Sequence, residues 1–148
     1  MDAQSSLLQA ALPEHPFLIK PNHYELEQLC GRKLPTLENV ATEAALLHQE
    51  EGVENVCVSL GAQGALLVRD DGTCYAAAPE VKVISTVGAG DSMVAGLVAG
   101  LVQGWEPVDA LRLGVACGSA TAAKPGTQIF TRSEAMTLLN QVKAKRLR

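Results

Sequence analysis

The chain has 148 residues, 47% of them apolar, and a formal net charge of −4. That length fits one domain with a real core, the apolar share excludes an unfolded chain, and the negative balance argues against a nucleic-acid partner, which needs a basic face. A small anionic ligand is not excluded, because backbone amides hold phosphate without net positive charge. Cys30, Cys57, Cys74 and Cys117 show no CxxC spacing and read as free, mostly buried thiols in a reducing cytoplasm. His15, His23 and His48 have no zinc spacing. The start, MDAQSSLLQAAL, lacks a basic stretch followed by an apolar core, so it does not read as a signal peptide. The longest apolar run, 93–102, is too short to span a bilayer and is broken by Gly96 and Gly100. The expectation is a cytoplasmic protein with no membrane partner.

In chain order, Leu7, Leu8, Ala11 and Leu12 suggest a first helix stopped by Pro13. PFLI is a short apolar run closed by Lys20 and Pro21, a buried strand. Residues 24–30 read as a helix ending near Gly31, and 36–51 as an amphipathic helix with Thr36 as its N-cap and Gly52 at its end. VCVSL is the next strand, and ALLVR, DDG and TCYAA form a hairpin. VKVIST, 81–86, is expected as a further strand. Gly88 and Gly90 open a helix with Val94, Leu97, Val98 and Leu101 on one face. Pro107 starts another, with Leu111, Val115 and Gly118 inward, and Ser133 is expected to cap a last helix that runs into a solvated basic tail. Strands alternating with helices argue for an α/β fold with a mostly parallel central sheet.

Three motifs fall where strands end. In STVGAGDS, 85–92, the glycines let backbone approach a ligand, and the first amides of the following helix lack intrahelical partners. Asp91 at that rim either caps the helix or takes a proton from a nucleophile. The motif is no Rossmann fingerprint, because Met93 stands where the third glycine belongs, and no GxxxxGK[ST] occurs. Ser59, Leu60, Gly61, Ala62, Gln63 and Gly64 either turn the chain into the hairpin or lie along a nucleotide. In KPNHYE, Asn22 and Glu25 have capping-box spacing; the alternative is that they hold Mg²⁺ through water while Lys20 faces phosphate. The small residues Gly114, Ala116, Gly118, Ala120 and Ala122 suggest a close helix contact, or a flat adenine slot beside it.

Together and in this order, KPNxxE, SLGAQGA and STVGAGDSMVAG resemble the C-terminal half of the ribokinase/PfkB carbohydrate kinases, over nearly the whole chain. STVGAGDSMVAG with PFLIKPN is most similar to the phosphosugar branch of 1-phosphofructokinases, tagatose-6-phosphate kinases and minor 6-phosphofructokinases. RKLPTLENV and LRLGVACGSATA point within it to the first, and GVACGSATAAKPGT also resembles the last. The resemblance implies a three-layer ribokinase-like sandwich in which 1–148 is the nucleotide-binding and catalytic part, without the lid. It implies that Asp91 deprotonates the acceptor hydroxyl of a phosphorylated ketohexose, and that Gly88, Ala89 and Gly90 form an anion hole. It implies that 59–64 lies along ATP, that Asn22 and Glu25 organise Mg²⁺, and that the full-length parent is a homodimer. Some members place K⁺ near Lys124, which either substitutes for that ion or excludes it. Family members are longer, and Met1 and Asp2 resemble the end of a family strand, so the chain is expected to begin inside the fold. A non-catalytic nucleotide-binding remnant is the alternative of another class.

Overall fold

Pro13 ends the first helix as its missing N–H requires. The computed structural model describes residues 5–147, with helix α1 at Ser5–Ala11 followed by a single 3₁₀ turn, Leu12–Glu14. The reading placed on Met1 and Asp2 lies outside the described residues. Strand β1 is Leu18–Ile19 and helix α2 is His23–Cys30. Helix α3, Leu37–Glu51, begins where Thr36 Oγ1 accepts the Asn39 N–H at 3.0 Å and ends at Gly52, φ 65°. Strands β2 (Asn55–Ser59), β3 (Ala65–Arg69) and β4 (Gly72–Ala77) follow. Helices α4 (Ala89–Val102), α5 (Pro107–Ala122) and α6 (Arg132–Leu139) precede strand β5, Lys143–Leu147. No helix among the described residues is long and apolar enough to cross a membrane.

The five strands lie in the order β1-β2-β3-β4-β5. Strand alternation sends Val56, Val58, Leu66 and Val68 to one face, where Leu8, Leu26, Val40 and Ala44 of α1–α3 cover them. Cys57, Ala65, Leu67, Cys74 and Ala76 face the other side, against Leu97 of α4 and Ala110, Leu111, Val115 and Ala116 of α5. Both sheet faces are therefore buried, which is why β2 and β3 read as unbroken apolar runs. The α/β three-layer expectation holds, but among the described strands only β1–β2 is parallel; β2–β3, β3–β4 and β4–β5 are antiparallel. The short links between β2, β3 and β4 dictate this, since a parallel pair needs a crossover of about a dozen residues or more. Only the β1–β2 connection, which carries α2 and α3, has that form.

Three further expectations are corrected. Residues 81–86 form no strand: the Ile84 and Ser85 N–H groups both donate to Ala122 O, at 2.8 and 3.2 Å, so the segment is strapped to the end of α5, with Val83 and Ile84 exposed. The basic tail is not solvated coil but β5, whose Ala144 packs on one core and Leu147 on the other while Lys143 and Lys145 stay in water. Lysines on an edge strand discourage further pairing. Thr131, not Ser133, caps α6: its Oγ1 accepts the Glu134 N–H at 3.3 Å and the Glu134 carboxylate accepts the Thr131 N–H at 3.0 Å. The cysteines are free, with Cys30 half-buried and the others buried. Burial pushes the Cys117 thiol up to about 11, so it is a packing group and not a nucleophile.

The stripe of small residues makes a close helix contact. A Cβ on Gly96 would lie 2.8 Å from Cys117 Sγ and 2.9 Å from Leu113 O, and one on Gly114 would lie 2.9 Å from Met93 O. The backbones of α4 and α5 touch because these positions have no side chain.

Candidate active site

A cleft of about 840 Å³ opens where β1 and β2 end, between the loops there, the segment after β4, the start of α4 and one side of α5. Of the residues singled out from the sequence, Lys20, Asn22, Glu25, Ser59, Gly61, Ala62, Gly64, Ala89 and Gly90 line it. Leu60, Gln63, Gly88 and Asp91 do not line it; Asp91 is exposed in the first turn of α4, next to Gly90. Three separate motifs thus meet at one opening at strand ends, where α/β sheets hold ligands.

The first wall is built by backbone. Ser59 N–H donates to Pro21 O at 3.0 Å, an isolated parallel bridge that sets the 20–25 loop beside 59–64. The capping box is realised: Asn22 Oδ1 accepts the Glu25 N–H, and Glu25 Oε2 accepts the Asn22 N–H, each at 2.8 Å. Both side chains still line the cleft. No group of three or more His, Cys, Asp or Glu placed to hold a metal ion occurs among the described residues. One amide oxygen and one carboxylate suit a Mg²⁺ that keeps most of its waters, and not a closed protein cage. Glu25→Gln is therefore expected to raise the Mg²⁺ concentration needed for half-maximal nucleotide binding or rate, with the fold intact. An unchanged Mg²⁺ dependence alongside a lower melting temperature would mean that Glu25 only caps.

The 59–64 loop is a 3₁₀ turn, Gly61–Gln63, closed by Leu60 N–H to Gly64 O at 2.8 Å. Tyr75 O–H donates to Gln63 O at 2.5 Å and ties the loop to β4.

At the start of α4, Gly88 sits at φ 79°, the left-handed conformation that turns the chain into the helix. The Ala89 N–H donates to Thr86 O at 3.2 Å, a long bond, so of the three expected anion-hole amides this one already has a weak partner. Sequence reasoning missed what holds this turn. Ser92 Oγ meets Thr121 Oγ1 at 2.8 Å in the interior, and Thr121 Oγ1 also accepts the Phe130 N–H at 2.9 Å. Ser85 Oγ–H donates to Gly126 O at 3.0 Å. A serine next to GAGD carries no visible signal that its partner lies on another helix. Also unanticipated were Ala78 and Glu80, from the link after β4, and Val81 and Val83, from the segment expected to be a strand, all of which line the cleft. Lys124 Nζ donates to Glu134 Oε1 at 2.8 Å, and this ammonium together with Thr131 pulls the Glu134 carboxyl down to about 2.

A three-layer sandwich with a glycine-rich helix start facing a cleft at the strand ends defines a ribokinase-like domain. The chain belongs to the pfkB family of carbohydrate kinases, whose family model matches residues 2–134. It is 41% identical over 141 residues to 1-phosphofructokinase of Escherichia coli K12, covering 95% of this chain and 45% of that protein. With 1-phosphofructokinase of Bacillus subtilis it shares 39% over 149 residues, 99% of this chain and 48% of the relative. Phosphofructokinase-2 of Escherichia coli, solved with substrates and products and also with potassium, matches with a TM-score of 0.88 at 35% identity, over 94% of this chain and 45% of that one. The chain thus spans less than half the length of the relatives it matches.

Proposed function

We propose that this chain is the nucleotide-binding and catalytic part of a cytoplasmic, ATP-dependent ketohexose-phosphate kinase, of the type that converts fructose 1-phosphate to fructose 1,6-bisphosphate. The observation that carries the reading is the meeting of the KPNxxE, SLGAQG and GAGD segments at one cleft. The 1-phosphofructokinase relatives support the substrate class; tagatose 6-phosphate and fructose 6-phosphate are the alternatives.

Phosphoryl transfer asks mainly for positioning and charge stabilisation. On this reading the 59–64 loop lies along ATP, with Lys20 facing phosphate. Amides of Gly88, Ala89 and Gly90 stabilise negative charge on the phosphoryl group in flight. The acceptor hydroxyl oxygen forms the new P–O bond, the bond to the ADP oxygen breaks, and the hydroxyl proton passes to the Asp91 carboxylate. Asn22 and Glu25 would hold Mg²⁺ through water, and the ion would supply charge neutralisation on the phosphates. K⁺ near the loop of Lys124 is part of this reading, with the Lys124 ammonium itself bonded to Glu134. The full-length parent would be a homodimer.

One observation favours a second reading, a non-catalytic nucleotide-binding remnant: relatives carry more than half their length beyond what this chain matches. The test is ADP release with fructose 1-phosphate, fructose 6-phosphate and tagatose 6-phosphate. The chain alone is expected to give no sugar-dependent turnover, because aligning two reactants is worth about 7–11 kcal/mol of the barrier. Mixed with the unmatched N-terminal part of the Escherichia coli relative, it is expected to turn over. Turnover by the chain alone would show that part to be dispensable; ATP binding without turnover in the mixture would favour the remnant.

A further inference from the structure

Helix α4 makes its first regular backbone bond at Ser92, whose N–H donates to Gly88 O at 2.9 Å. The amides ahead of it are those that a helix start leaves for a ligand. The side chain of this same Ser92 is buried, and its Oγ lies 2.8 Å from Thr121 Oγ1. Thr121, in the last turn of α5, is itself fully buried. Its Oγ1 also accepts the Phe130 N–H at 2.9 Å, immediately before the N-cap of α6. Its methyl faces the other end of the glycine turn: a Cβ on Gly88 would lie 3.8 Å from Thr121 Cγ2. The loop between α5 and α6 meets the stretch before Gly88 a second time, where Ser85 Oγ–H donates to Gly126 O at 3.0 Å.

Each branch of Thr121 therefore has its own task. The methyl backs the chain at Gly88 and the hydroxyl fixes the side chain of Ser92, so the turn carrying Ala89, Gly90 and Asp91 is held at both ends. A β-branched side chain is stiff at χ1, so placing one branch places the other. A helical threonine has two rotamers to choose from; the Phe130 N–H, a donor from outside the helix, holds Thr121 in the one seen here. Amides that stabilise charge in flight are effective only while they stay preorganised. We infer that Thr121 is a positioning residue for the anion turn, and that through it the order of this turn depends on the loop that carries Phe130. This role rests on the anion-hole reading of 88–90.

The test compares Thr121→Val, which keeps the shape and removes the hydroxyl, with Thr121→Ser, which keeps the hydroxyl. In the purified chain, Thr121→Val is expected to speed amide hydrogen exchange at Ala89 and Ser92, neither of whose N–H groups is bonded to Thr121, with β2 and β3 unchanged. The expected factor is about 2–12-fold, the worth of one neutral hydrogen bond. In the assembly with the N-terminal part of the Escherichia coli relative, kcat is expected to fall by up to about 10²-fold, the cost of a misplacement of about 1 Å, while KM for ATP stays the same. Thr121→Ser is expected to restore both readouts. Should Thr121→Val not fold, Ser92→Ala breaks the same pair from the α4 side and is read in its place. Faster exchange spread evenly over all amides, a lower melting temperature with kcat unchanged, or a loss confined to KM would each overturn the role. If the unsubstituted assembly does not turn over, the kinase reading falls, and exchange at Ala89 and Ser92 alone decides whether Thr121 orders the turn.

Discussion

Asp91→Asn is expected to lower phosphoryl-transfer turnover by about 10²–10⁴-fold, the usual worth of a positioned general base. The measurement belongs in the smallest assembly that turns over, the chain combined with the N-terminal part of its Escherichia coli relative. Asp91 sits exposed in the first turn of α4, just past the glycine that lines the cleft. A carboxylate there adds negative charge to a helix start whose amides attract phosphate, so it weakens anion binding if that is its only effect. Its placement makes sense if it serves the second reactant, the hydroxyl. Nucleotide affinity should accordingly stay the same or rise slightly in Asp91→Asn while turnover collapses. The competing account is helix capping, but the N-cap of α4 is Gly88 and no side chain caps it. Asp91 acts there at most through the dipole, a contribution of about 0.3–1 kcal/mol. Near-normal turnover with a small loss of stability would return Asp91 to that structural role.

Gly64→Ala is expected to destabilise the chain by about 3 kcal/mol or more, read as a shift of the urea midpoint. Gly64 has φ 101° and ψ −134°, a region closed to side-chain-bearing residues. A Cβ there would lie 1.9 Å from Ala76 O, within the β3–β4 hairpin. Relief requires moving backbone, not a flexible side chain. Gly61→Ala in the same loop is the control: its φ is 58°, but nothing lies within 4 Å of the added Cβ. It should cost only the left-handed penalty of roughly 1–2 kcal/mol. Equal effects at the two positions would mean that the collision with Ala76 is relieved cheaply and that strain alone sets the cost.

What could be read in advance follows from where each signal resides. The helix at 37–51 was legible because periodicity, an N-cap threonine and an ending glycine are local, and the start of the one at 107 because an N1 proline is local too. The hairpin was legible because Asp70, Asp71 and Gly72 are turn residues between apolar runs. VKVIST carries a strand's composition, yet among the described residues no strand lies beside it, and a strand's identity depends on its partner. The tail misled in the opposite way: KAKRL looks like a solvated end, and only the vacant side of β4 makes it sheet. At the site, Lys20, Asn22, Glu25 and the glycines announced themselves through spacing. Ser92 and Thr121 did not, because a hydroxyl in a helix looks alike whether it faces water, a ligand or another hydroxyl.

The glycine contact between α4 and α5 has a mechanical side. Gly88–Gly90 at the start of α4 and the last turns of α5 are joined by backbone-to-backbone packing and by the buried Ser92–Thr121 bond, with little compressible material between them. The start of α4 and the facing turn of α5 therefore shift together or not at all: a Cβ on Gly118 would already lie 3.1 Å from Ala89 O. Any closure of the cleft must carry α4 and α5 as one rigid piece, and the flexing must occur across the opening, against the loops that end β1 and β2.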